Sequence, residues 1–169
     1  SGCSGGGKST LLAELARRCQ PVFAEPGRDI VKEELASGGD ALPWTNTQRF
    51  AERCIARGIE YLKQAQHLTV PAFFDRSIVD AVSALEHLGL PVPAAAREAL
   101  DVRPYERRVL MAPPWPELFE NDAERRHTFD DARAEYDRLL GAYTALDHEI
   151  VLLPKTAVPA RADFVTRAF

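Results

Sequence analysis

What this chain of 169 residues most clearly lacks is a long apolar run. No stretch approaches the roughly 18 to 20 residues of a bilayer-spanning helix, and no charged-then-apolar leader opens the sequence, so a soluble cytoplasmic protein is expected. Cysteine is scarce and odd in number. Cys3, Cys19 and Cys54 lack metal-ligand spacing, which favours reduced thiols over a disulfide framework. The four histidines, His67, His87, His127 and His148, are scattered singly, without the paired spacing of a zinc site. Excess positive charge is also missing: 21 basic residues face 25 acidic ones, for a net charge of −4. That balance offers no broad field for nucleic acid or anionic membrane, so any positive charge that matters must be local. There are no internal repeats and no low-complexity segment. A hydrophobic content of 46% over this length suits one domain spanning residues 1–169 with a full core.

What the chain does have is glycine concentrated in one place. Gly2, Gly7, Lys8 and Ser9 fill the pattern G-x-x-x-x-G-K-[ST] of a phosphate-binding loop. A polyphosphate needs several N–H donors aimed at one point, and Gly2, Gly5, Gly6 and Gly7 permit the backbone turns of such a nest. Leu11, Leu12, Leu15, Ala16 and Cys19 follow at helical spacing, so a helix is expected to open at Lys8 or Ser9. Its unpaired N–H groups and dipole add to the anion site. The binding set is thus Gly2, Cys3, Ser4, Gly5, Gly6, Gly7, Lys8, Ser9 and Thr10. Lys8 reaches the β- and γ-phosphates, and Ser9 offers its hydroxyl to Mg²⁺. The motif normally follows a buried strand in the middle of a sheet, so a strand is expected upstream of Ser1.

Downstream, strands are expected at Pro21–Ala24, Leu68–Phe74, Arg108–Ala112 and Ile150–Leu153. Helices are expected at Asp29–Ala36, Thr47–Gln66, Ile78–Leu88, Ala94–Leu100, Thr128–Leu146 and Arg161–Phe169, with Thr128 and Asp131 resembling a capping box. Alternation with crossovers long enough to hold helices implies an α/β fold, a doubly wound parallel sheet with helices on both faces. Ligands in that architecture bind outside the carboxyl ends of the strands, where Glu25, Asp75 and the Pro113 loop belong with the phosphate loop.

Phosphoryl transfer requires positioning, positive charge around the moving group and a carboxylate for metal. Asp75 ends a strand and is read as a Mg²⁺ ligand with Ser9, the competing role being a helix N-cap. Arg76 is a candidate clamp for acceptor or phosphate. Glu25 is placed to take a proton from an acceptor hydroxyl, or else simply pairs with Arg28. Arg125 and Arg126 lie in a polar, proline-bounded segment, about residues 113–128, that reads as a lid delivering charge to the transition state. The alternative is a solvated face where they pair with Asp122 or Asp130.

Together, Gly2 to Thr10, Phe23-Ala24-Glu25-Pro26, Phe73-Phe74-Asp75-Arg76-Ser77 and Asn121-Asp122-Ala123-Glu124-Arg125-Arg126 resemble the bacterial "predicted ATPase" family of P-loop proteins, related to the ribosylnicotinamide kinase domain of NadR. The resemblance covers nearly the whole chain and implies a P-loop NTPase fold with the kinase-like strand order 2-3-1-4-5. A more distant similarity is to deoxynucleoside kinases, which carry an acidic residue and proline after the second strand and E-R-S at the end of the third. By that likeness Glu25 would be the base, Arg76 the phosphate-side arginine, and Trp44 and Gln48 the acceptor wall. Asp75 departs from it, standing where those kinases have glutamate, and its shorter side chain favours metal contact through water.

The expected activity is a Mg²⁺-dependent kinase that passes the γ-phosphoryl group of ATP to a small hydroxyl-bearing, nucleoside-like acceptor. Hydrolysis of the nucleotide and a nucleotide-dependent switch with little turnover stand as alternatives. The base is read from a loop near Lys155 to Val158, which leaves ATP and GTP both open. Acceptor and oligomeric state are not encoded legibly.

Overall fold

The computed structural model describes residues 1–119 and 128–169. Arg125 and Arg126, the expected lid arginines, lie outside the described residues. In chain order the elements are α1 (Lys8–Arg17), β1 (Val22–Phe23), α2 (Pro26–Ser37), α3 (Thr47–Ala65), β2 (Phe73–Phe74), α4 (Ile78–His87), α5 (Ala94–Asp101), β3 (Arg108–Met111), a 3-10 turn at Pro116–Leu118, α6 (Phe129–Ala145), β4 (Glu149–Leu152) and α7 (Val158–Ala168). They form two compact units. The first comprises Ser1–Ala24, Thr69–Asp75 and Glu106–Phe169; the second comprises Glu25–Leu68 and Arg76–Tyr105.

All strand pairing in the first unit is parallel. β1 pairs with β2, placing Val22 opposite Phe73 and Phe23 opposite Phe74, whose rings stack 4.7 Å apart. β3 pairs with β4 from Arg108 opposite Glu149 to Met111 opposite Leu152. The loop joins this second pair through a parallel bridge between Gly2 and Ala112. Ala112 N–H donates to the Ser1 carbonyl at 3.0 Å, and Cys3 N–H donates to the Ala112 carbonyl at 2.9 Å. Leu11, Leu15, Ala112, Leu153, Ala162 and Val165 form the core of this unit, with Val22, Phe73, Leu110 and Phe164 packed against it. α7 is also fixed to α1 by Arg18, which donates to Asp163 at 2.5 Å and to the Pro159 carbonyl at 3.1 Å.

Gly2 shows how tightly the loop is set into the sheet. Its φ is +115°, and a Cβ there would collide with the backbone of Ala112, which cannot move without breaking the β3 pairing. Gly2→Ala is therefore expected to cost about 1 to 3 kcal/mol of stability, read as a lowered midpoint in urea with an unchanged slope.

The second unit is helical. α3, with Ala51, Ile55, Gly58 and Leu62 buried along one face, packs against α2, α4 and α5. Gly58 lets Ile78 of α4 approach closely. Asn46 caps α3 by accepting from Arg49 N–H at 3.1 Å.

Three sequence expectations shift. The strand expected over Leu68–Phe74 is paired only at Phe73–Phe74; Leu68 and Val70 are 40% and 53% exposed, and Pro71 has no N–H to offer a ladder. α2 and α7 each begin three residues earlier than expected, because Pro26 and Pro159 sit in the first turn, where a missing N–H costs nothing. The capping box at Thr128 and Asp131 is present as expected. Among the described residues, no helix is long and apolar enough to cross a membrane.

Candidate nucleotide-binding site

The site begins where the sheet hands over to α1. Cys3 N–H is committed to Ala112, and the buried Cys3 thiol donates to the carbonyls of Ser4 and Ala132, so this side chain serves packing. Gly6 N–H closes a turn on the Cys3 carbonyl at 3.1 Å. Gly7, at φ +71°, is the N-cap of α1 and has no side chain to cap it, and the first turn of the helix carries no acidic residue. Helix geometry leaves the leading N–H groups without intrahelical acceptors, and the turn carries no acidic side chain of its own to take them. Lys8 Nζ donates back across the loop to the carbonyls of Gly2 at 3.2 Å and Cys3 at 2.9 Å.

In the first turn of α1, Ser9 Oγ donates to Asp75 Oδ2 at 3.0 Å. Asp75 closes β2, its N–H bonded to the Phe23 carbonyl at 2.9 Å, and is only 2% exposed. Its other oxygen, Oδ1, is buried with no hydrogen-bond partner among the described residues. A buried carboxylate oxygen left without a donor is costly, and it calls for a cation or an ordered water. The N-cap role considered for Asp75 belongs to Ser77, whose hydroxyl accepts from Val79 N–H at 3.0 Å while Asp80 accepts from Ser77 N–H, also at 3.0 Å. Ser9 and Asp75 together fit Mg²⁺, which takes one or two protein oxygens and otherwise binds phosphate and water. No group of three or more His, Cys, Asp or Glu side chains suited to a metal occurs among the described residues.

In the second unit, Glu25, Arg76 and Asp80 form a separate constellation. Arg76 Nε donates to Glu25 Oε1 at 3.0 Å, and its Nη1 donates to Asp80 Oδ1 at 3.2 Å. Arg28, the pairing considered for Glu25, approaches its other oxygen at 3.5 Å. Glu25 is the N-cap residue of α2, but its side chain does not cap. Arg76 holds φ +68°, a left-handed backbone that a non-glycine residue adopts at a cost of about 1 to 2 kcal/mol. Its two carboxylate partners offset that strain. Behind them, burial pushes the Tyr105 hydroxyl up to about 12, and that hydroxyl accepts from Ile78 N–H at 3.2 Å. Burial, then the charge of Glu25, pushes the Cys54 thiol up to about 12, which removes it as a nucleophile near neutral pH. Of the expected acceptor wall, Gln48 donates to Glu52 at 2.9 Å and Trp44 is 39% exposed.

Sequence reasoning missed Arg161. It lies in the first turns of α7, only 1% exposed, with Nη2 3.1 Å from the Gly6 carbonyl and Nη1 3.4 Å from that of Gly7. Its guanidinium stands 5.8 Å from the centre of the Trp115 ring. An arginine in an amphipathic helix ordinarily reads as surface, and only the packing of α7 beneath the loop reveals it.

A glycine-rich turn off a parallel strand pairing, an uncapped helix start, a lysine folded over the loop and a Ser–Asp pair with a vacant carboxylate oxygen define a P-loop nucleotide-binding protein. The chain belongs to the AAA domain family, whose model matches residues 1–161. Its fold is similar to the solved structure of deoxyadenosine kinase from M. mycoides with bound dATP, at a TM-score of 0.58 and 15% identity, covering 99% of this chain and 95% of that one. No curated protein matches the sequence.

Proposed function

We propose that this protein is a Mg²⁺-dependent P-loop kinase that transfers the γ-phosphoryl group of ATP to a hydroxyl on a small, nucleoside-like acceptor. The observation that carries the reading is the Ser9–Asp75 pair at 3.0 Å in the first turn of the uncapped helix α1, with Asp75 Oδ1 buried and without a hydrogen-bond partner among the described residues. Ser9 and Asp75 would hold Mg²⁺, which when bound neutralises phosphate charge and orients the phosphates. The N–H groups at the start of α1 cradle the phosphates. Lys8 leaves the carbonyls of Gly2 and Cys3 for the β- and γ-oxygens.

For the acceptor we assign Glu25, Arg76 and Asp80. Glu25 and Arg76 directly follow Ala24 and Asp75 in sequence. Glu25 accepts the proton of the acceptor hydroxyl, held in place by Arg76, while Asp80 anchors the far side of the same guanidinium. Trp44 supplies a ring for stacking, and Arg125 and Arg126 supply lid charge. The structural likeness to deoxyadenosine kinase supports a nucleoside-like acceptor, as does the acidic residue and proline at Glu25 and Pro26. The pairings β1–β2 and β3–β4, with Ser1–Cys3 alongside Ala112, support the 2-3 and 1-4-5 neighbours of the strand order 2-3-1-4-5.

The test is incubation with γ-labelled ATP or GTP and Mg²⁺ against a panel of nucleosides and cofactor-precursor nucleosides. Label appearing on an acceptor is the expected result. Label released only as inorganic phosphate, at one rate with and without the panel, would make the protein a hydrolase.

A further inference from the structure

The buried charges in the described residues are accounted for with one exception. Glu34 accepts from Ala41 N–H at 2.8 Å and pairs with Arg53; Asp80 holds Arg76 and caps α4; Asp75 belongs to the cation site. Arg161 has no carboxylate partner among the described residues, and its Nε is buried without an acceptor. Burial alone lowers its pKa, yet a guanidinium stays protonated in proteins, so a positive charge with no carboxylate partner among the described residues lies directly under the loop. Burying an unpaired charge is expensive unless something supplies the opposite sign.

The position of that charge also constrains the backbone. In a planar trans peptide the C=O and the following N–H point to opposite sides. Nη2 and Nη1 grip the carbonyls of Gly6 and Gly7. Each grip turns the next N–H, of Gly7 and of Lys8, away from Arg161. The approach is so close that a Cβ on Gly7 would fall 2.7 Å from Nη1, which ties the glycine to the arginine as well as to its own positive φ. A planar two-pronged donor suits two neighbouring carbonyls; a lysine ammonium, as a point charge on a flexible stem, does not reproduce the fork.

Resting on the reading of Ser1–Thr10 as a polyphosphate site, we propose that Arg161 is a positioning residue of that site. It fixes the Gly6 carbonyl and, together with the Leu11 N–H that donates to it at 3.2 Å, the Gly7 carbonyl, so that the N–H groups of Gly7 and Lys8 face the phosphates, and the polyphosphate supplies the negative charge that balances it. Affinity for the phosphate chain, whatever base it carries, is then set in part by a side chain that never touches the nucleotide.

Calorimetric titration of the wild type, Arg161→Lys and Arg161→Met with Mg-ATP and with Mg-pyrophosphate tests this. Arg161→Met should weaken both ligands at least tenfold and by the same factor, with Arg161→Lys intermediate. Unchanged dissociation constants with only a lowered melting temperature or stoichiometry would make the residue merely structural and overturn the proposal. A loss confined to ATP would also overturn it, by placing Arg161 at the base. If the methionine variant does not fold, Arg161→Lys decides: wild-type affinity for pyrophosphate refutes the clamp, and a loss of threefold or more supports it. A wild-type protein that binds neither ligand would defeat the nucleotide reading itself, and this inference with it.

Discussion

Lys8→Ala is expected to weaken Mg-ATP binding by about a hundredfold and turnover by about a thousandfold, the scale on which a preorganised donor to phosphate or oxyanion charge acts. The side chain is half-buried and its ammonium sits on two loop carbonyls, at 3.2 and 2.9 Å, where it holds the loop closed until phosphate displaces it. Alanine removes those two charge-assisted bonds, but the Cys3 carbonyl keeps a second partner, accepting from Gly6 N–H. The melting temperature should therefore fall by only a few degrees. Isothermal titration beside a turnover assay checks the prediction. Unchanged affinity together with unchanged turnover would remove the loop from the mechanism.

The second large effect concerns metal. Asp75→Asn keeps the shape of the side chain and an oxygen for the Ser9 hydroxyl, yet removes the charge that attracts a hard cation. The half-saturating Mg²⁺ concentration for turnover should rise tenfold or more, while affinity for metal-free ATP changes little or improves, since a negative charge has left the phosphate site. A substitution that simply damaged the fold would weaken both. A wild-type Mg²⁺ curve would return Asp75 to a structural role.

Much of this site was legible in the chain because its chemistry is local. Gly2, Gly7, Lys8 and Ser9 lie within eight consecutive positions, and the helix they open announces itself through Leu11 and Leu15, both buried. Asp75 was legible as the end of a strand, although only Phe73 and Phe74 of that strand are paired. Its hydroxyl partner at Ser9, 66 positions away in sequence, follows once β2 is placed beside the loop. Arg161 was not legible. It acts across 155 positions on a backbone carbonyl, which carries no side-chain signature, and Pro159 reads as a boundary when it is in fact in the first turn of α7. The strain at Arg76 was equally hidden, since arginine has no local preference for the positive φ it holds beside its ion pairs with Glu25 and Asp80. Arg125 and Arg126 lie outside the described residues, and their lid role rests on the sequence.

The central claim is that Ser1–Thr10, with Asp75, forms a site for a metal–nucleoside triphosphate. The measurement that meets it most directly is calorimetric titration of the protein with ATP, once with Mg²⁺ and once with EDTA in its place. Saturable binding at one site per chain, tighter with Mg²⁺ and weakened about a hundredfold in Lys8→Ala, is the predicted result. Absence of binding at millimolar ATP and GTP in both conditions, by a protein that melts cooperatively, would contradict it.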